Sequence, residues 1–276
     1  MINLGLVRRA WLETRGATLT FGVCGLLVAT LLHFALPRFQ KSIEVPSVAA
    51  SRISSNLSSI RSAMLGTDVS DAPGREIAAA VAWSHPFFLA LVFAHIVTVS
   101  TRVPAGEADK GTLDVLLGLP VSRWELFISE TVVMIFTAGM VLLLALIGSR
   151  IGNHFAPEGM TPGLGAVAPA LGNLFVLTLA VGAVGMLSAT VTDRRMRAVA
   201  AVLIVIVASL LLNYLQLLWE PAKRLSFLGL LNYYRPIWSL RTGEWAWRDI
   251  GILCGIAGTL WVGAGVWFSR RDLSTT

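Results

Sequence analysis

The chain has 276 residues, of which 55% are hydrophobic and only 14% charged, with a mean hydropathy of +0.72. Soluble domains carry about 25% charged residues, so this composition excludes an ordinary soluble enzyme, a disordered chain and a disulfide framework, and points to a membrane protein. The net charge of +6 comes with no basic run interleaved with aromatics, so no nucleic-acid partner is expected. The charges flank apolar segments instead.

The first 16 residues place Leu4, Val7 and Trp11 on one helical stripe, with Arg8, Arg9, Glu13 and Arg15 around it. This predicts an amphipathic helix lying in the membrane interface. Six stretches are then long enough to cross a hydrocarbon layer of about 30 Å: 17–36, 80–100, 127–147, 167–190, 198–218 and 250–268. Their continuous apolar character excludes a β-barrel. The fold class is an all-α polytopic membrane protein with six transmembrane helices and an N-terminal interfacial helix.

Between the first two spans lies a Ser-rich external segment, 37–79, weakly helical over 45–65 and closing on the turn sequence Asp71-Ala72-Pro73-Gly74. It is a surface on which a periplasmic or extracellular partner would dock. Pro86 reads as the start of a regular helix. Segment 219–249, with Trp219, Phe227, Tyr233, Tyr234, Trp238, Trp245 and Trp247, reads as an aromatic belt at the outer interface. Rows of small residues run through span 4 (Gly182, Gly185, Ala189) and span 6 (Gly251, Gly255, Thr259, Gly263) and predict close helix packing or a dimer face. The compact turn holding Arg194, Arg195 and Arg197, and the Arg270-Arg271 tail, predict cytoplasmic N- and C-termini.

No phosphate-binding loop, zinc motif or nucleophile elbow is present in the sequence, and no catalytic or metal-ligating residues are assigned. His95, Glu130 and Asn213 are polar residues within spans. Each reads either as lining a transport path or as a structural hydrogen-bonding group, and Glu130 lies near the inner end of its predicted span. These residues leave three readings open: a permease, a membrane enzyme acting on lipid-linked substrates, and a secondary transporter.

The loop between spans 2 and 3, residues 102–124, is too patterned for a plain connector. Glu107, Lys110 and Asp114 form a charged patch, Leu113, Leu116 and Leu117 an apolar one, and Pro120 ends the run. The pattern predicts a short amphipathic helix at about 105–118 that packs into a groove on a soluble partner.

This loop resembles the membrane subunits of ABC-2 type transporters. The resemblance rests on Glu107, Gly111-Thr112-Leu113, Leu116-Leu117 and Pro120-Val121-Ser122-Arg123, with Phe268-Ser269-Arg270-Arg271-Asp272-Leu273 similar to the family's ending. It implies an ABC-2 type exporter fold in a bacterial or archaeal plasma membrane. It also implies a homodimer or a pair with a related subunit, and a separate cytoplasmic ATPase that binds ATP and Mg. This chain would bind no cofactor itself. In that setting 105–118 is the coupling helix: Glu107 and Lys110 pair with the ATPase, Leu113, Leu116 and Leu117 fill its groove, and Arg123 anchors the helix end to the ATPase or to lipid phosphate.

Overall fold

The computed structural model describes residues 3–43, 73–112, 118, 120–216 and 219–270. Six segments are long and apolar enough to span a membrane. They are α1 (Leu4–Ile43), the pair α2 (Gly74–Ser84) and α3 (Pro86–Ser100), α4 (Arg123–His154), α5 (Leu164–Val191), α6 (Arg195–Leu215) and α9 (Trp247–Arg270). Two short helices, α7 (Glu220–Leu225) and α8 (Pro236–Thr242), lie between α6 and α9.

The expected interfacial helix is not a separate element. Residues 4–43 form one uninterrupted helix of 40 residues, about 60 Å long at 1.5 Å per residue, roughly twice the hydrocarbon thickness. Beside the stripe expected to face the membrane interface, a second one packs against the protein. Leu4 is 79% exposed, whereas Leu6, Ala10, Thr14 and Thr18 are buried. Spaced by four, these small and medium side chains let α1 lie close against its neighbours, so its first turns are held by protein contacts. Trp11 packs edge-on against Phe136 of α4.

The second span is broken where Pro86 stands. His85 takes an extended conformation (φ −60°, ψ 130°), and Pro86 occupies the first turn of α3, where its missing N–H costs nothing. Pro86 therefore opens a regular helix, as expected, but a further helix precedes it. The start of α4 carries a capping box. Ser122 Oγ accepts from the Glu125 N–H (3.1 Å) and Glu125 Oε2 from the Ser122 N–H (3.0 Å). This begins the helix at Arg123, four residues before the expected span, and places Glu130 two turns into it.

Helix α5 is central, packing against α3, α4, α6, α8 and α9. Its small-residue row is used: a Cβ on Gly182 would meet Met134 Sδ at 2.9 Å, and one on Gly185 would meet the Ser100 hydroxyl at 2.0 Å. In α9, by contrast, Gly251, Gly255, Gly258 and Gly263 face open space, and only Gly265 is packed, against Trp124. The α1–α4 pair is built on a motif the sequence reading passed over, Gly148-x-x-x-Gly152. A Cβ at these two positions would meet backbone oxygens of α1, Leu26 O at 2.2 Å and Thr30 O at 2.4 Å. The Thr30 hydroxyl also donates to the Gly148 carbonyl (3.0 Å). Close backbone approach through small residues is the main packing device between helices in a membrane.

Of the aromatics in 219–249, Trp219, Phe227, Trp238, Trp245 and Trp247 are exposed, while Tyr234 is buried with its hydroxyl 3.4 Å from the Trp83 carbonyl. The segment folds back onto the bundle: Asn173 of α5 donates to the Tyr233 carbonyl (3.0 Å) and α8 packs on α2 and α5. Residues 44–72, with the helix predicted over 45–65, lie outside the described residues.

Backbone, unlike a side-chain tip, cannot yield to an added methyl group. Gly148→Val or Gly152→Val is therefore expected to destabilise the chain by about 1–3 kcal/mol or more. This reads out as a lowered thermal midpoint in detergent. Gly255→Ala, at an open position, is expected to leave the midpoint unchanged.

A candidate functional site at one end of the bundle

The end of the bundle that carries the α1 N-terminus, the 102–112 loop and the start of α6 holds a concentration of charge. After Ser100 the helix gives way to an irregular turn, with Val103 extended (φ −124°, ψ 132°) and residues 102–106 buried. One helical turn follows, Glu107–Asp109. It ends at Gly111, whose φ of +68° is a left-handed conformation suited to glycine. The helix expected at 105–118 is thus interrupted at Gly111 within the described part. Leu113, Leu116 and Leu117 lie outside the described residues.

Arg102 is the centre of the cluster. It comes from the turn, is 7% exposed, and pairs with Glu13 of α1 and with Glu130 of α4, itself 8% exposed. Arginine stays charged under all ordinary conditions, so burying it demands a carboxylate. Here two carboxylates from two different helices meet one guanidinium. Arg9 extends the network: its guanidinium lies 2.8 Å from Glu13 Oε1 and 3.4 Å from Glu107 Oε2.

Glu107 is 4% exposed and turned inward. Its carboxylate accepts from the Thr112 hydroxyl (2.7 Å) and lies 3.6 Å from Lys110 Nζ. Burial pushes its pKa up, but the Thr112 hydrogen bond and the charges of Lys110, Arg9 and Arg102 outweigh this and hold the carboxyl below its ordinary range. Within this chain Glu107 therefore organises the loop. Lys110, Gly111 and Thr112 are exposed. Arg123 sits away from the cluster, donating to the Phe268 carbonyl at the end of α9 (3.2 Å).

Helix α6 joins through Arg195. Its backbone N–H donates to Asp109 Oδ2 (2.6 Å) and its guanidinium to the Thr98 carbonyl (2.9 Å). Its side chain passes over Gly106, where a Cβ would lie 3.2 Å from Arg195 Cδ. The turn is thus fastened to α1, α4 and α6 at once. An open cavity of about 580 Å³ lies against it, lined by residues of α1, the end of α3, the turn and Arg195.

Of the three candidates within spans, the structure brings only Glu130 to this site. His95 is buried between α1 and α3, with Nε2 3.3 Å from the Thr18 hydroxyl and its ring edge-on to Phe21. Asn213 lies near the far end of α6, accepting from Gln216 Nε2 (3.1 Å). The sequence reading passed over Arg9, Glu13, Arg102, Asp109 and Arg195 as members of one site. The available signal was the i,i+4 spacing of Arg9 and Glu13 and an arginine placed at the end of an apolar span.

Removing the central cation strands the buried Glu130 carboxylate with Glu13 on its exposed side, a loss of about 3–5 kcal/mol for a broken buried pair. Arg102→Gln is therefore expected to lower the thermal midpoint strongly. Glu130→Gln added to Arg102→Gln is expected to recover part of the loss, because it removes one stranded charge. Equal, additive losses would show that the two residues do not interact.

A search of curated proteins gives no match. A family model described as an ABC-2 family transporter protein matches residues 18–273, nearly the whole chain. With its six membrane-spanning segments and patterned loop, the chain belongs to the ABC-2 family of transporter membrane proteins.

Proposed function

We propose that this chain is the permease subunit of an ATP-driven exporter in a bacterial or archaeal plasma membrane. It pairs with a second copy or a related subunit, and takes its energy from a separate ABC ATPase that contacts residues 107–123. The observation that carries this reading is the three-way fastening of the loop. A push on the loop reaches α1 and α4 through Arg102 and reaches α6 through Asp109 and Arg195. A loop designed only to connect two spans needs no such buried charge.

Within this reading Lys110, Gly111, Thr112, Leu113, Leu116 and Leu117 form the contact with the ATPase. Glu107 supports them from behind, and Arg123 ties the start of α4 to the end of α9. ATP and Mg are bound by the ATPase. Closure of the ATPase pair displaces the loop, and the displacement tilts α1 and α4 together. The arginines at 8, 9, 102, 123, 194, 195 and 197 gather toward this end, which supports cytoplasmic N- and C-termini. Residues 37–79 then face outward, where an external partner would meet the complex.

The test is co-expression with a candidate ABC ATPase, mild extraction and native mass spectrometry. The expected species is a complex of two permease and two ATPase subunits. Leu113→Asp with Leu117→Asp is expected to reduce the co-purified ATPase at least tenfold, since a carboxylate forced into an apolar groove costs about 2 kcal/mol or more. A permease that purifies without ATPase in every pairing, or double-variant complexes as abundant as wild type, would overturn the reading.

A further inference from the structure

The cavity beside the charged turn has an unequal lining. One wall holds Ala17 and Val99 with Thr14 and Thr98, and the rim carries Arg9, Arg102, Lys110 and Arg195 against only Glu13 and Glu107. The two carboxylates are already used. Glu13 is shared by Arg9 and Arg102, and Glu107 by Arg9 and Lys110. Glu130, behind the lining, takes the other side of Arg102. Asp109 accepts from the backbone of Arg195, so among the described residues the Arg195 guanidinium has a carbonyl partner and no carboxylate. Arg9 Nη1 and Arg102 Nε, both buried, have no acceptor among the described residues. Lys110 reaches the cavity with a side chain 60% exposed. The site therefore offers surplus donors and positive charge together with apolar side chains of α1 and α3.

We propose that this cavity binds the phosphate headgroup of an anionic phospholipid from the leaflet that meets this end of the bundle. The phosphate sits between Lys110 and Arg195, and the glycerol end lies against Ala17 and Val99. An amphiphile satisfies both walls, whereas inorganic phosphate satisfies only one. The bound headgroup supplies the counter-charge that Arg195 lacks among the described residues, and it links the membrane surface to the turn that fastens α1, α4 and α6. The site stands on the fold and its charges, and needs no ATPase.

The test uses the full chain in detergent, titrated with phosphatidylglycerol or phosphatidylcholine and read by native mass spectrometry. Each basic side chain near a membrane surface contributes about fivefold to anionic-lipid affinity. Wild type is expected to retain phosphatidylglycerol over phosphatidylcholine, and Lys110→Gln with Arg195→Gln to weaken that retention at least tenfold. Lys110→Gln alone, which leaves Glu107 its Thr112 hydrogen bond and its Arg9 pairing, is expected to show an intermediate loss. Lys223→Gln with Arg224→Gln, a basic pair in α7 beyond the other end of α6, is expected to change nothing. Equal retention of the two lipids, or equal losses in the two double variants, would overturn the proposal. Displacement of the lipid by millimolar inorganic phosphate would assign the site to a free anion and overturn the lipid. An absent lipid preference with loss of co-purified ATPase in Lys110→Gln/Arg195→Gln would assign the cations to that interface and overturn it as well.

Discussion

A guanidinium cannot shed its charge, so an arginine folded into a protein wall dictates what surrounds it. Arg102 is in that position, buried just past the end of α3. Two carboxylates meet it, from α1 and α4, and the arrangement of this end of the molecule follows. Glu13 is drawn to the turn, and Arg9 bridges Glu13 to Glu107. Glu107, neutralised in turn by Lys110 and Thr112, shapes the loop that carries the family's motif. Individual surface ion pairs contribute little. This set is shared, and its centre, Arg102 with Glu130 and Glu107, is buried, which makes its members mutually dependent.

The same requirement acts on α1. In its N-terminal turns Arg9 and Glu13 find partners on the turn after α3 and hold the helix against the protein. The pairing is possible only because α1 lies against α4, and that approach depends on Gly148 and Gly152 letting the two backbones touch. Packing deep in the bundle and ion pairing at its end are thus two parts of one attachment. On the other side, α9 packs along the central α5 while its own glycines stay open, so the most extensive helix contacts are α1 with α4 and α9 with α5.

Much of this was legible in the sequence. Continuous apolar length pointed to six helices long enough to span, because the membrane enforces that length physically. Pro86 marked a helix start through its missing N–H. The loop motif pointed to the family that the match over 18–273 establishes. The charge network was not legible, because Arg102, Glu13 and Glu130 come from three separate elements and nothing in their spacing says that they converge. The protein-facing stripe of α1 was not legible for a related reason. Leu4, Val7 and Trp11 are the larger apolar residues, yet the buried stripe is Leu6, Ala10, Thr14 and Thr18, since close packing selects small side chains over strongly apolar ones. For the same reason glycine rows in α5 and α9 looked alike in sequence and differ in use.

If Arg102 makes the loop, α1 and α4 one mechanical unit, distances within that unit stay fixed while the transporter works. The direct measurement is a pair of spin labels at Leu12→Cys and Ala108→Cys, after replacing Cys24 and Cys254 with serine. Their separation would be read by pulsed electron resonance in the complex with its ATPase, with and without ATP. The account predicts the same narrow distance distribution in both states, broadened when Arg102→Gln is introduced. A shift of several ångströms between the two states in the chain that retains Arg102 would contradict it.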